Sequence, residues 1–201
     1  SVAEVQLAAA RALHQVGGDT APAVPVLNSL LLHFDSRLRV GALEVIAAIG
    51  PGARDALPTL TARAGFEHEP EVLIAVARAI GAVLRGSDRP DPKALLALGS
   101  IASQAAGPQA DAVRRAASEA LRTLGKPALR VLLDQLRSQL AQPNPYTLAV
   151  SQLLVTLAEF GPDAEEAVPL LTELLPYPSS SVRSAAAHAL GRIGPAAASA
   201  A

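Results

Sequence analysis

The chain has no cysteine, no methionine and no tryptophan, and aromatics make up 2% of its 201 residues. Without cysteine there is no disulfide, no thiolate metal site and no cysteine nucleophile. Few rings means no platform on which nucleic-acid bases could stack. A surplus of either charge is also missing: 17 basic residues face 18 acidic ones, a net of −1, so no overall basic excess draws the chain to nucleic acid. No apolar run reaches the ~18 residues of a membrane span, because Pro, Gly or charge interrupts every candidate. Methionine is absent even at residue 1, as expected of a chain that is not a complete natural product.

Half the residues are hydrophobic, mostly Ala, Leu and Val. That composition suits helices packed closely on small side chains and disfavours a β-sandwich. A 13-residue pattern then recurs six times. It is apolar at its first residue, small three and four residues on, small then apolar at seven and eight, apolar at eleven, and usually Gly at twelve. The clear copies are 5–17, 38–50, 113–125 and 182–194; 72–84 and 149–161 are looser. Their first residues lie 33, 34, 41, 36 and 33 positions apart. A period in this range predicts stacked two-helix units and no central pocket.

Apolar positions at intervals of three and four fall on one stripe of a helix. In the last copy the stripe is Val182, Ala185, Ala186, Ala189, Leu190 and Ile193. Gly17, Gly50, Gly125, Gly161 and Gly194 are expected to stop these helices in a left-handed conformation. Pro51, Pro127, Pro162 and Pro195 follow and open the next element. A second helix follows each stop. Three begin alike, at Ala23-Val24-Pro25, Ala56-Leu57-Pro58 and Ala167-Val168-Pro169, and the recurrent Pro predicts a shared kink. The 41-residue interval holds a loop insertion near 85–92. The expected architecture is all-α, a solenoid over 1–201 with one leading helix, about five pairs, and the start of another helix.

The phrase from Val182 through Arg183, Ala185, Ala186, His188, Ala189 and Leu190 to Gly194-Pro195 resembles the second helix of HEAT repeats, in particular the bacterial, phycobilisome-lyase-like variety. Ala167-Val168-Pro169-Leu170-Leu171 is similar to that family's first helix. The resemblance implies a right-handed α-solenoid whose second helices line a concave, partner-binding face. It also implies a loop Asp and a following Arg, here Asp35/Arg39 and Asp111/Arg114. Arg183 has Ser180 and Ser181 in place of the Asp, while Leu73 and Val150 replace the Arg, so a ladder between repeats is expected to be broken there.

On these inner helices, the second and sixth positions after the opening residue leave the apolar stripe. Arg11, Glu44, Arg78 and Glu119 alternate in sign on successive helices. They read as a ladder of surface ion pairs, or as a polar strip that receives a partner's charges. Leu7, Val40 and Ile74 form an apolar row that is either covered by long neighbours or exposed as a binding seam. With Arg115 and Arg122, these nine residues are the candidate partner-binding set. Residues 111–142 carry a net of +3 and residues 143–181 a net of −5, either ordinary solvated faces or a paired grip. Phe34, Phe66, Tyr146 and Tyr177 lie at the ends of outer helices, as plugs between units or as anchors on a rim.

Chemistry is poorly supplied. His68, between Glu67 and Glu69, reads as a solvated loop rather than a metal site. His14 and His188 sit at different helix positions and share no site. The His-Glu pairs of the HEAT-like deoxyhypusine hydroxylases reduce here to His68-Glu69, and the Trp used by HEAT-like DNA glycosylases is missing. No nucleophile with its base and no Gly-rich phosphate loop is recognisable. The expectation is therefore a non-catalytic scaffold or adaptor that needs no cofactor and no metal, with a protein partner on the concave face, no nucleic acid and no membrane span. Alternatives are an accessory subunit of a bilin lyase and a structural subunit of a large assembly.

Overall fold

The computed structural model describes residues 1–198. These residues form helices and turns, with no strand among them. The helices are α1 (Val2–Gln15), α2 (Ala23–Leu30), α3 (Ser36–Ile49), α4 (Leu57–Phe66), α5 (Pro70–Leu84), α6 (Pro92–Gln104), α7 (Ala110–Leu140), α8 (Thr147–Ala158), α9 (Val168–Glu173), α10 (Ser180–Ile193) and α11 (Pro195–Ala198). Among the described residues no helix is long and apolar enough to cross a membrane.

Local signals set the helix starts. Ser1 and Glu4 form a reciprocal capping box on α1. Asp35 caps α3, accepting from the Arg37 N–H at 2.9 Å, and Asp91 caps α6, accepting from the N–H groups of Lys93 and Ala94. Gly17 stops α1 as predicted, with φ 69° and N–H bonds from Gly17 to the His14 carbonyl and from Gly18 to the Leu13 carbonyl, whereas Gly50, Gly125 and Gly194 combine a positive φ with an extended ψ. Gly50 has φ 64° and ψ −131°, and Gly125 inside α7 has φ 60° and ψ −146°. Only glycine enters that region without strain, because any Cβ would clash with the backbone. Gly125 thereby divides α7 into 110–124 and 126–140, which act as separate helices of the array.

The expected kink at Pro25, Pro58 and Pro169 is a correction. Pro58 and Pro169 occupy the first turns of α4 and α9, and Pro25 is the third residue of α2. An N–H there has no partner to lose, so the ring costs no hydrogen bond. The change of direction falls earlier, in the 3-10 segments Gly50–Ala56 and Gly161–Ala167, at Ala53 and Ala164.

Inner helices stack on one another: α1 on α3, α3 on α5, α5 on α7, and α8 on α10. Small residues allow the approach. A Cβ on Gly41 would collide with Leu7, and one on Gly81 would stand 2.9 Å from the Ala120 Cβ. One continuous apolar core runs from Ala10 to Ile193. The regular order changes at α8, which packs along outer helix α6, with Gly99 against Thr156. Leu95, Leu98 and Ile101 on α6 are accordingly buried together with Ala94, Gly99 and Ala102, so this helix is enclosed on most sides.

Candidate functional site

Seven of the nine candidate residues line a run of adjoining clefts from α3 through α5 to residues 110–124, and Leu7 and Arg11 lie beside it on α1. Leu7 packs over Gly41, and Arg11 Nη2 pairs with Glu44 Oε2 at 3.2 Å. Val40, Glu44, Ile74 and Arg78 share a groove of about 130 Å³ between α3 and α5. Arg78 and Glu119 share the next cleft, about 340 Å³, between α5 and residues 110–124. Arg115, Glu119 and Arg122 line a third, about 700 Å³.

The charges do not form a complete ladder. Arg11–Glu44 is an ion pair with side chains 48% and 62% exposed, whereas Glu44–Arg78 and Arg78–Glu119 are not ion pairs among the described residues. Arg78 and Glu119 are exposed around a cleft that also holds Gly81, Ala82, Ala116 and Ala120; such short residues close the helix backbones while the long charged side chains stay in water. Leu7, Val40 and Ile74 are half-buried and pack on the core. The apolar row is thus largely covered, and what the face presents outward is mainly charge.

The Asp/Arg ladder is also rewired. Asp35 is spent on its cap, and Arg39, 6% exposed, turns to the next connection. Its Nη1 donates to the carbonyls of His33 and Phe34 at 3.0 and 2.9 Å, its Nε to Glu67 Oε2 at 3.0 Å, and its Nη2 to Glu69 Oε1 at 2.9 Å. Arg63 is a second partner of Glu67. Arg183 repeats half of this arrangement, donating to the Tyr177 and Pro178 carbonyls at 3.0 and 2.8 Å, while Arg114 pairs with Asp111 on its own helix at 3.0 Å. Within the run from Glu67 to Glu69, His68 and Glu69 are exposed as a solvated loop would have them, and Glu67 alone is buried. Burial pushes the Glu67 carboxyl up, but bonds from Arg63 and from the N–H groups of Glu69 and His68, with the Arg39 charge, bring it below the usual carboxylate range. Arginine occupies both carboxylates, and among the described residues no group of three or more metal-ligating side chains exists.

The aromatics split. Phe34, Phe66 and Tyr146 are exposed, Phe34 by 90%, which contradicts a plugging role for these three. Tyr177 is half-buried against the core. The ring that does fill an inter-unit gap is Phe160, 1% exposed.

One tie at the α7–α8 junction and one groove beside α6 were absent from the candidate set. Buried Glu159, at the end of α8, accepts from Ser118 Oγ at 2.6 Å and stands 3.6 Å from Arg192 Nη2, which ties residues 110–124 to α8 and α10. The 700 Å³ cleft lies beside this tie and includes Pro162 and Arg192. On another side of α6, a groove of about 630 Å³ runs between α4, α6 and α8. Continuous apolarity around α6 was the available signal for its enclosure.

Comparison with known proteins places part of this geometry. Residues 134–201 match a family model described as HEAT repeats. The last two copies of the 13-residue pattern lie inside that HEAT-repeat segment, and the copies 5–17, 38–50 and 113–125 carry the same helix–glycine–helix arrangement, while 72–84 ends in Leu84. Two crystal structures of engineered proteins are similar more loosely. One has 22% identity and a TM-score of 0.46, covering 96% of this chain and 92% of that one. The other has 22% identity and a TM-score of 0.32, covering 98% of this chain and 68% of that one. No curated protein matches the chain. The all-α repeat architecture rests on the helices themselves and on the HEAT-repeat match.

Proposed function

We propose that the chain is a non-catalytic interaction scaffold holding a protein partner along the inner face of α1, α3, α5 and residues 110–124. The observation that carries this reading is the continuity of the clefts from Val40 to Arg122, with Arg78, Arg115, Glu119 and Arg122 left without ion-pair partners among the described residues. Unpaired charges around shallow clefts favour a partner that brings the opposite signs in register. Recognition here is shape with distributed contacts, and no bond is made or broken.

The test is affinity capture from the native source, identification of the captured protein by mass, and titration of the purified pair. Arg78→Glu with Arg122→Glu is expected to weaken that binding at least ~30-fold, about 2 kcal/mol, by reversing two rim charges. Equal affinity for the double variant and the parent would remove this face from the account.

The finer reading, an accessory role beside a bilin lyase, is supported only by the similarity of residues 182–195 to the phycobilisome-lyase-like repeat. It requires a pigment-bearing partner, so a captured protein without visible absorbance excludes it.

A further inference from the structure

The groove between α4, α6 and α8 is separate from the proposed partner face. Its volume of about 630 Å³ lies within the range of small-molecule sites, roughly 300–1,000 Å³. Ala62, Leu96, Ala97, Leu148 and Val155 supply apolar wall from all three helices, and Leu148 is 54% exposed. Gly65 adds room, since a Cβ there would meet nothing within 4 Å. Three of the hydroxyls on the wall are turned into their own helices: Thr61 Oγ1 donates to the Pro58 carbonyl at 2.9 Å, Ser103 Oγ to Ser100 at 3.1 Å, and Thr156 Oγ1 to Gln152 at 2.8 Å. These hydroxyls therefore present hydrocarbon to an occupant more than they present donors.

Lys93 is the one charged residue lining this groove among the described residues. It is exposed in the first turn of α6 and makes no ion pair among the described residues. The nearby Asp91 carboxylate is engaged by the N–H groups of Lys93 and Ala94 at 2.7 and 3.2 Å. A mainly apolar slot, with Ser100, Ser151 and Gln152 also on its wall and a single ammonium on its border, complements a molecule with an apolar body and one negative group.

We propose that this groove binds a small amphiphilic carboxylate, its tail between α6 and α8 and its carboxylate at Lys93. The tail covers Leu148, and the headgroup supplies the partner that Lys93 lacks.

The probe is dodecanoate, titrated into the purified full chain below its micellar concentration by calorimetry, with dodecanol as the uncharged comparison. The expected result is saturable one-to-one binding of dodecanoate, weakened roughly tenfold by Lys93→Gln, with dodecanol weaker and indifferent to that change. Gly65→Phe is expected to abolish binding while helical circular dichroism stays at the parent level; Ala62→Phe, on the same exposed side of α4, provides a second block should the first variant fold poorly. Absence of dodecanoate binding to the parent chain overturns the proposal. Binding that survives both blocking variants overturns it too, as does equal affinity for acid and alcohol. A captured protein whose binding is lost in Gly65→Phe, with no dodecanoate binding, assigns the groove to a macromolecule instead.

Discussion

Arg39 and Glu67, 28 residues apart, meet as a buried ion pair, Nε to Oε2 at 3.0 Å, with side chains 7% and 5% exposed. The pair ties the start of α3 to the connection before α5, and Arg63 and Glu69 complete it. Removing one member of a buried pair strands the other, at a cost of about 3–5 kcal/mol. Arg39→Met is therefore expected to lower the thermal midpoint by several degrees or more. Arg11→Met, at the exposed pair with Glu44, should cost less than ~1 kcal/mol. Parallel thermal melts check both.

Acid should act through the same cluster. The folded-state Glu67 carboxyl lies below its ordinary value, so the unfolded chain binds its proton first as pH falls. Its stabilisation is complete above the unfolded value of about 4.3 and is lost as pH drops through the lower folded one. Urea midpoints measured from pH 6 down to pH 3 are expected to fall more steeply for the parent than for Glu67→Gln. Parallel slopes would mean that the pair carries no pH-dependent stability.

The same substitution should have opposite signs at two glycines. Gly125 has φ 60° and open space around a would-be Cβ, so Gly125→Ala meets only backbone strain, about 1–3 kcal/mol destabilising. Gly191 lies in the body of α10, also with open space, and Gly191→Ala should stabilise by about 0.5–1 kcal/mol. Denaturant titration of the two variants decides this.

The aromatic residues give a third contrast. Phe34→Ala is expected to change stability by no more than ~0.5 kcal/mol, because the ring faces solvent. Phe160→Ala should cost about 3–5 kcal/mol through the cavity it leaves. Similar melts for both would show that Phe34 is packed after all.

The helices and their stops were legible in the sequence because both follow from local chemistry: apolar spacing for the helix faces, and glycine where φ must be positive. Seven of the nine candidate residues fall on one run of clefts for the same reason, since equal pattern positions on stacked helices share a side. What stayed hidden depends on the angle between units. Nothing in the pattern around Gly99 or Thr156 states that α8 turns onto α6, and the apolar groove exists only because it does. Glu67, flanked by His68, Glu69 and Pro70, reads as a wet connection until Arg39 is found reaching it from the preceding unit.

The central claim is that a protein partner lies along the inner helices. The most direct measurement places a photoactivatable benzoylphenylalanine singly at Glu44, Arg78, Glu119 and, on the opposite layer, Glu173, then maps crosslinks to the captured partner by mass spectrometry. The account predicts crosslinks from the first three positions and none from Glu173. Crosslinks from Glu173 alone would contradict it.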